Sequence, residues 1–241
     1  MDVLAPLSAV DEVEPLIRGG ATDLYCGVFD AGWARRFGLG AWPNRRGAGP
    51  ANLDDVDALA DAARRTHRAG ARIHLVLNAP LLGERQEEAV MALAQRAATE
   101  LGVDGLVVAN PGLLRPLGDT GAILTTSTLC TVRNAEAALL LADLGAHRVI
   151  LSRQLRLSEI RAIAEAAPDL KLEAFVLNDA CAFEEGSCLT AHALPTHTGP
   201  YCLADRTAEG GSDENTARHR AWLDALAARG FSRTGLPRGP C

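Results

Sequence analysis

Five times between Gly20 and Gly145 a helical run closes on glycine and a short apolar strand begins within a few residues. Gly20 precedes DLYCG, Gly70 precedes RIHLVLN, Gly102 precedes GLVVAN, Gly121 precedes AILTT and Gly145 precedes HRVIL. Glycine adopts the left-handed conformation that ends a helix without the Cβ penalty, so each instance reads as an α-to-β turn. The segments between them have helical period. Ala89, Val90, Leu93, Ala94, Ala97 and Leu101 share one face, as do Ile160, Ile163, Ala164 and Ala167. With VLAP near the start and KLEAFVLN near residue 175, seven strand candidates alternate with helices. Strands that are apolar nearly throughout, each followed by a helix, specify a parallel sheet covered by helices.

No Gly-rich dinucleotide fingerprint follows the first strand, which favours a TIM-like (β/α) barrel over an open doubly wound sheet. About seven strands are legible and an eighth is not. The expectation is therefore an incomplete α/β barrel: open, truncated, or completed by a protein partner. Residues 1–180 supply its units. Residues 181–241 are expected to form a cysteine-bearing C-terminal segment of the same domain. That segment is read as a loop and then a helix over about 215–229 carrying Trp222, Leu223, Leu226 and Ala227.

A chain of 241 residues, 48% hydrophobic and 22% charged with a formal charge of −6, fits one soluble globular domain with a large core. There is no signal-peptide pattern and no apolar run long enough for a membrane span, since EAALLLADLGAHRVIL is broken by Asp143 and His147. A cytoplasmic protein without membrane contact is expected. Six cysteines in that setting point to metal binding or catalysis rather than a disulfide framework. The acidic balance favours a small-molecule substrate. Arg35, Arg36, Arg45 and Arg46 nevertheless form a local basic group, more simply read as a solvated loop, that leaves room for an anion or a structured RNA.

In a (β/α) barrel the chemistry gathers at the C-terminal ends of the strands. Those positions read Cys26, Asn78, Asn110, Ser127, Arg153, Asn178 and Asp179, with Cys181 just beyond. Such residues also cap helices and open loops, so the pattern matters more than any one of them. Arg153 is the candidate fork for a small anionic substrate, with Asn78, Asn110, Ser127 and Asn178 orienting it.

Cys181, Cys188 and Cys202 follow the seventh strand, and the chain ends in Cys241. Thiolates at this density select an iron-sulfur cluster or zinc. His192 and His197 could complete a tetrahedral zinc site, so both chemistries stay open on the residues alone. Cys130 reads as a small core residue and Cys26 as either core or site. Asp119, Thr120 and Gly121 copy the aspartic-protease triplet, but only once and at a helix-to-strand turn, where it is coincidental. There is no HExxH and no GxSxG. The Gly-rich RRGAGP could present amides to an anion but is more simply a connection.

The stretches LAP, GGATDLYCGV, NRRGAGPANL, IHLVLNAP, GVDGLVVANPGLL, LGAHRVILSRQLRLSEIRAI, LEAFVLNDACAFEEGSCL and Tyr201-Cys202 resemble the peptidase U32 family of collagenase-like proteins. The resemblance implies a TIM-like barrel and, in some branches, a 4Fe-4S cluster. Cys181, Cys188 and Cys202 match the first three ligands of the ubiquinone-hydroxylation branch, and Cys241 stands near the position of the fourth. In a second branch one ligand comes from early in the chain, which makes Cys26 the substitute. This match places iron-sulfur above zinc. Family members continue into a further strand beyond the point where this chain ends. The resemblance further implies oxygen-independent hydroxylation of a small molecule or an RNA base, with prephenate as oxygen source. Two rival readings are a collagenase-like peptidase (a hydrolase) and a non-catalytic iron-sulfur subunit that needs a partner.

Overall fold

The five glycines read as α-to-β turns all have positive φ, between 72° and 110°, in the computed structural model, which describes residues 1–39, 41–47, 51–176 and 185–187. Three of them close their helices with the same pair of bonds. At Gly70 the glycine N–H donates to the His67 carbonyl (2.9 Å) and the Ala71 N–H to that of Thr66 (3.1 Å). Gly20 with Ala21, and Gly145 with Ala146, repeat this arrangement. The alanine after each of these glycines is buried and leads directly into a strand.

The described chain falls into two compact units, one over Met1–Ala71 and one beginning at Arg72. The first holds β1 (Leu4–Pro6), α1 (Val13–Arg18), β2 (Asp23–Val28), α2 (Ala31–Phe37), β3 (Asn52–Leu53) and α3 (Val56–Arg68). β2 pairs in parallel with β1 on one side and β3 on the other. Leu59, Ala62, Ala63 and Thr66 form the buried stripe of α3, whose start is capped by the Asp55 side chain accepting the Ala58 N–H at 2.8 Å. A bidentate pair joins α3 to α1, with Arg65 donating to the two Glu14 oxygens at 2.7 and 2.6 Å.

The second unit runs β4 (Arg72–Leu77), α4 (Glu84–Thr99), β5 (Gly105–Val108), α5 (Leu114–Gly118), β6 (Ile123–Thr126), α6 (Ala135–Asp143), β7 (Arg148–Ile150), α7 (Leu157–Ala166) and β8 (Lys171–Glu173). Each strand pairs in parallel with the next. The core is aliphatic: Ile73, Leu75, Leu77, Leu106 and Leu124 are at most 1% exposed. Burial of each such side chain contributes about 1.5–3 kcal/mol.

Every expected strand is present, so the α/β, TIM-like class holds. Three details differ. β3 is a two-residue strand with no alternation to announce it. Among the described residues of KLEAFVLN, Lys171–Glu173 form the strand. On α7, Ile163 and Ala167 are buried as expected but Ala164 faces solvent, because the helix meets its neighbours along a narrower stripe.

The starts of the strands are tied by side chains that take the place of carbonyls. The Asp104 carboxylate accepts the Ile73 N–H at 2.8 Å, and His147 Nδ1 accepts the Leu124 N–H at 3.0 Å. In the first unit Thr22 Oγ1 accepts the Val3 N–H at 2.8 Å. Each ladder thus gains one further bond at the rim opposite the strand ends.

Gly105 lies opposite His74 in the β4–β5 register, and a Cβ there would collide with the His74 imidazole and the Ile123 carbonyl. Gly105→Ala is expected to cost about 1–3 kcal/mol in urea unfolding. An unchanged midpoint would show that His74 moves aside freely.

The hydrogen bonds from Arg65 hold the Glu14 carboxyl below its ordinary value of 4.5. The stability this pair supplies is therefore complete above the unfolded-state value and is lost as pH falls through the folded one. The melting temperatures of wild type and Glu14→Gln should differ at neutral pH and converge on acidification. A constant gap across the titration would contradict this.

Candidate functional site

The strand ends of the second unit bring some of the expected residues together and set others apart. Asn78 directly follows β4 and Ser127 directly follows β6. The Asn78 Nδ2 donates to Ser127 Oγ at 3.0 Å, reaching across the end of β5, which lies between those strands. Ser127 is buried, and its Oγ also accepts the Leu129 N–H at 3.4 Å, starting the 3-10 turn Thr128–Cys130. Asn110 is engaged elsewhere. Its Oδ1 accepts the Gly112 N–H and its Nδ2 donates to Glu87 on α4, both at 2.9 Å, so it caps a turn and ties that turn to the helix.

Arg153 lies three residues past β7. Its Nη2 stands 3.1 Å from Glu185 Oε1, and its guanidinium carbon lies 4.2 Å above the centre of the Phe175 ring. Glu185 and Phe175 were not among the residues singled out from sequence. Nothing local in the chain marks a pair separated by 32 positions. Also missed were three buried hydroxyls, Thr125, Thr126 and Ser152, at and just beyond the ends of β6 and β7. Their side-chain oxygens have no hydrogen-bond partner within the described residues. Buried hydroxyls of this kind carry a desolvation cost unless something polar satisfies them. Together the strand ends offer amide and hydroxyl groups, a chemistry suited to orienting a polar ligand.

In the first unit, Cys26 lies inside β2 rather than at its end and is 2% exposed. Burial pushes its thiol up to about 12. Cys130 is half-buried, with its Sγ 3.4 Å from the Ala109 carbonyl, and burial pushes it up to about 11. Arg35 and Arg36 are exposed on α2, where Arg36 stacks on Phe37 at 4.9 Å. Arg46 is exposed, whereas Arg45 is half-buried.

The turn that carries these last two arginines is built on a buried amide network. Asn44 Nδ2 donates to Asn52 Oδ1 at 2.7 Å, Trp42 Nε1 donates to the same oxygen at 3.3 Å, and Asn52 Nδ2 donates to the Gly47 carbonyl at 2.9 Å. Gly27 on β2 makes room for it, since a Cβ there would collide with both asparagines.

Among the described residues no group of three or more His, Cys, Asp or Glu side chains could hold a metal. Asn178, Asp179, Cys181, Cys188, His192, His197, Cys202 and Cys241 lie outside the described residues, as does the expected helix over 215–229. A cleft of about 670 Å³ opens at the opposite rim, at the starts of β6 to β8, lined mostly by apolar side chains such as Leu139, Ala142, Ala166 and Leu170. No helix among the described residues is long and apolar enough to cross a membrane.

Because the thiolate is the reactive form, Cys26 and Cys130 should resist alkylation in the native protein at about pH 8 and react once urea unfolds it. Mass-spectrometric mapping that found Cys26 labelled as fast as a free thiol would contradict its burial.

A sequence model of peptidase family U32 matches residues 8–208. The 23S rRNA 5-hydroxycytidine C2501 synthase of Escherichia coli is 37% identical over 145 residues, 59% of this chain and 21% of that protein. The tRNA hydroxylation protein P of Helicobacter pylori is 34% identical over 92 residues, 37% of this chain and 22% of that protein. The chain thus spans about a fifth of the length of these two relatives. Among solved structures, the U32 peptidase Mk0906 superposes with a TM-score of 0.56 at 16% identity, covering 72% of this chain and 68% of that one, which is a likeness of fold. With the family model matched over most of its length and the parallel α/β architecture in place, the chain belongs to peptidase family U32.

Proposed function

We propose that this chain takes part in oxygen-independent hydroxylation of a pyrimidine base in RNA, using a 4Fe-4S cluster. The observation that carries this reading is the 37% identity over 145 residues to an enzyme whose product is a hydroxylated cytidine in ribosomal RNA. The similarity to a tRNA hydroxylation protein points to the same class of chemistry.

Cys181, Cys188, Cys202 and Cys241 would hold the cluster. The donor chemistry fits, because four soft thiolates suit a cubane and the described residues offer no competing His, Cys, Asp or Glu set. The enclosure of Cys26 within β2, where it is 2% exposed, favours Cys241 over Cys26 as the fourth ligand. Bound, the cluster supplies a redox or Lewis-acid centre.

The chain's own residues would bind and orient. Asn78 and Ser127, already joined at 3.0 Å, present an amide and a hydroxyl at the strand ends, and the unsatisfied hydroxyls of Thr126 and Ser152 add polar groups near the ends of β6 and β7. Such groups suit a small carboxylate co-substrate, for which prephenate is the proposed oxygen source. The exposed Arg35, Arg36 and Arg46 suit RNA phosphates.

Two measurements test the reading. Anaerobically purified protein is expected to contain about four irons and four acid-labile sulfides per chain, lost in Cys181→Ala; zinc alone would overturn the cluster. Nucleosides from the RNA of cells with and without the gene, compared by mass spectrometry, are expected to differ by a hydroxylated pyrimidine. Identical nucleosides, together with gelatin cleavage by the iron-free protein, would replace hydroxylation with peptide cleavage.

A further inference from the structure

We propose that Arg153 is a positioning residue, whose pair with Glu185 pins the turn Glu185–Ser187 to the C-terminal ends of the parallel strands. The inference concerns the anchoring of that turn and stands whether or not the chain holds a cluster.

Three features bear on the turn Glu185–Ser187: the first and third hold it directly, and the second orients Arg153. The first is the ion pair at 3.1 Å, with the Arg153 and Glu185 side chains only 17% and 12% exposed. Charges so far removed from water are costly to bury singly, so each requires the other. The second is the Phe175 ring, 4.2 Å beneath the guanidinium carbon, which fixes the plane of the fork through a cation–π contact. The third is backbone fit. A Cβ on Gly186 would collide with Thr131 Oγ1 and the Leu129 carbonyl, so the turn seats against the 3-10 segment after β6 as only glycine allows. Thr131 itself holds φ 54°, an uncommon conformation for a β-branched residue, at the point where the turn rests.

Cys181 and Cys188 are four and three residues from Glu185 in sequence, a reach of at most about 14 Å and about 11 Å of chain. A fork reserved for a substrate carboxylate would be open. Here one arm of the guanidinium already meets a carboxylate of the chain and its face meets a ring.

The test is hydrogen–deuterium exchange of the full-length protein as purified, read by mass spectrometry on peptides covering 181–188, with iron content measured on the same samples. Glu185→Gln and Arg153→Gln are each expected to speed exchange in those peptides by at least about threefold, while peptides from β4 to β6 stay unchanged. The charge swap Arg153→Glu with Glu185→Arg is expected to restore slow exchange. Gly186→Ala should speed exchange with the ion pair intact, because it lifts the turn from Thr131. Unchanged exchange in both Gln variants, or no restoration by the swap, would overturn the proposal. Iron measured on the same samples tells loss of the cluster reading from loss of this one, because variant and wild type are compared at equal iron content.

Discussion

To enter a parallel strand in register with its neighbour the chain must reverse from the preceding helix, and five of these reversals take only three to five residues. That demand is met at the positive-φ glycines, and the rest of the fold follows from it. At Gly20, Gly70 and Gly145 the reversal satisfies two helix carbonyls and delivers a buried alanine to within two residues of the strand. Any other residue at such a glycine would face the left-handed penalty just where the helix needs its last bonds. The turns are thus both the stop of one element and the register mark of the next.

The two rims of the second unit are built on different terms. At the strand starts, Asp104 and His147 commit their side chains to backbone N–H groups of the neighbouring strand, so these polar residues belong to the ladder. At the strand ends, Asn78 and Ser127 bond to each other, Thr126 and Ser152 keep hydroxyls unsatisfied by the described chain, and Arg153 reaches to Glu185. Polar atoms at the first rim complete secondary structure. At the second, only the hydroxyls of Thr126 and Ser152 among those just named lack a hydrogen-bond partner within the described residues. The apolar cleft at the starts of β6 to β8 lies on the committed side, away from these groups.

Much of the architecture was legible because glycine punctuation and apolar runs are local signals: all seven expected strands are present. What escaped was either too short or too distant. β3 has two residues and no alternation, and β8 stops after three because Lys171–Glu173 is where pairing with β7 ends. Cys26 read as a strand end but lies within β2, since the strand continues through Gly27 and Val28 to meet β3. In the candidate site, residue types were legible and partnerships were not. Asn110 looks like Asn78 in sequence, yet one caps a turn against Glu87 and the other meets Ser127. The Arg153–Glu185 pair depends on a long-range closure that no periodicity encodes.

The side-chain ladders at the strand starts have an evolutionary corollary. With Asp104 and His147 bearing part of the register at one rim, residues at the other rim are free of that duty and can be exchanged with little effect on strand pairing. Divergence in a scaffold of this kind should accordingly be lopsided. Exchanges at Asn78, Ser127 and Ser152 would leave the strand-start bonds in place, while the strand-start positions change only in concert with the strand they brace.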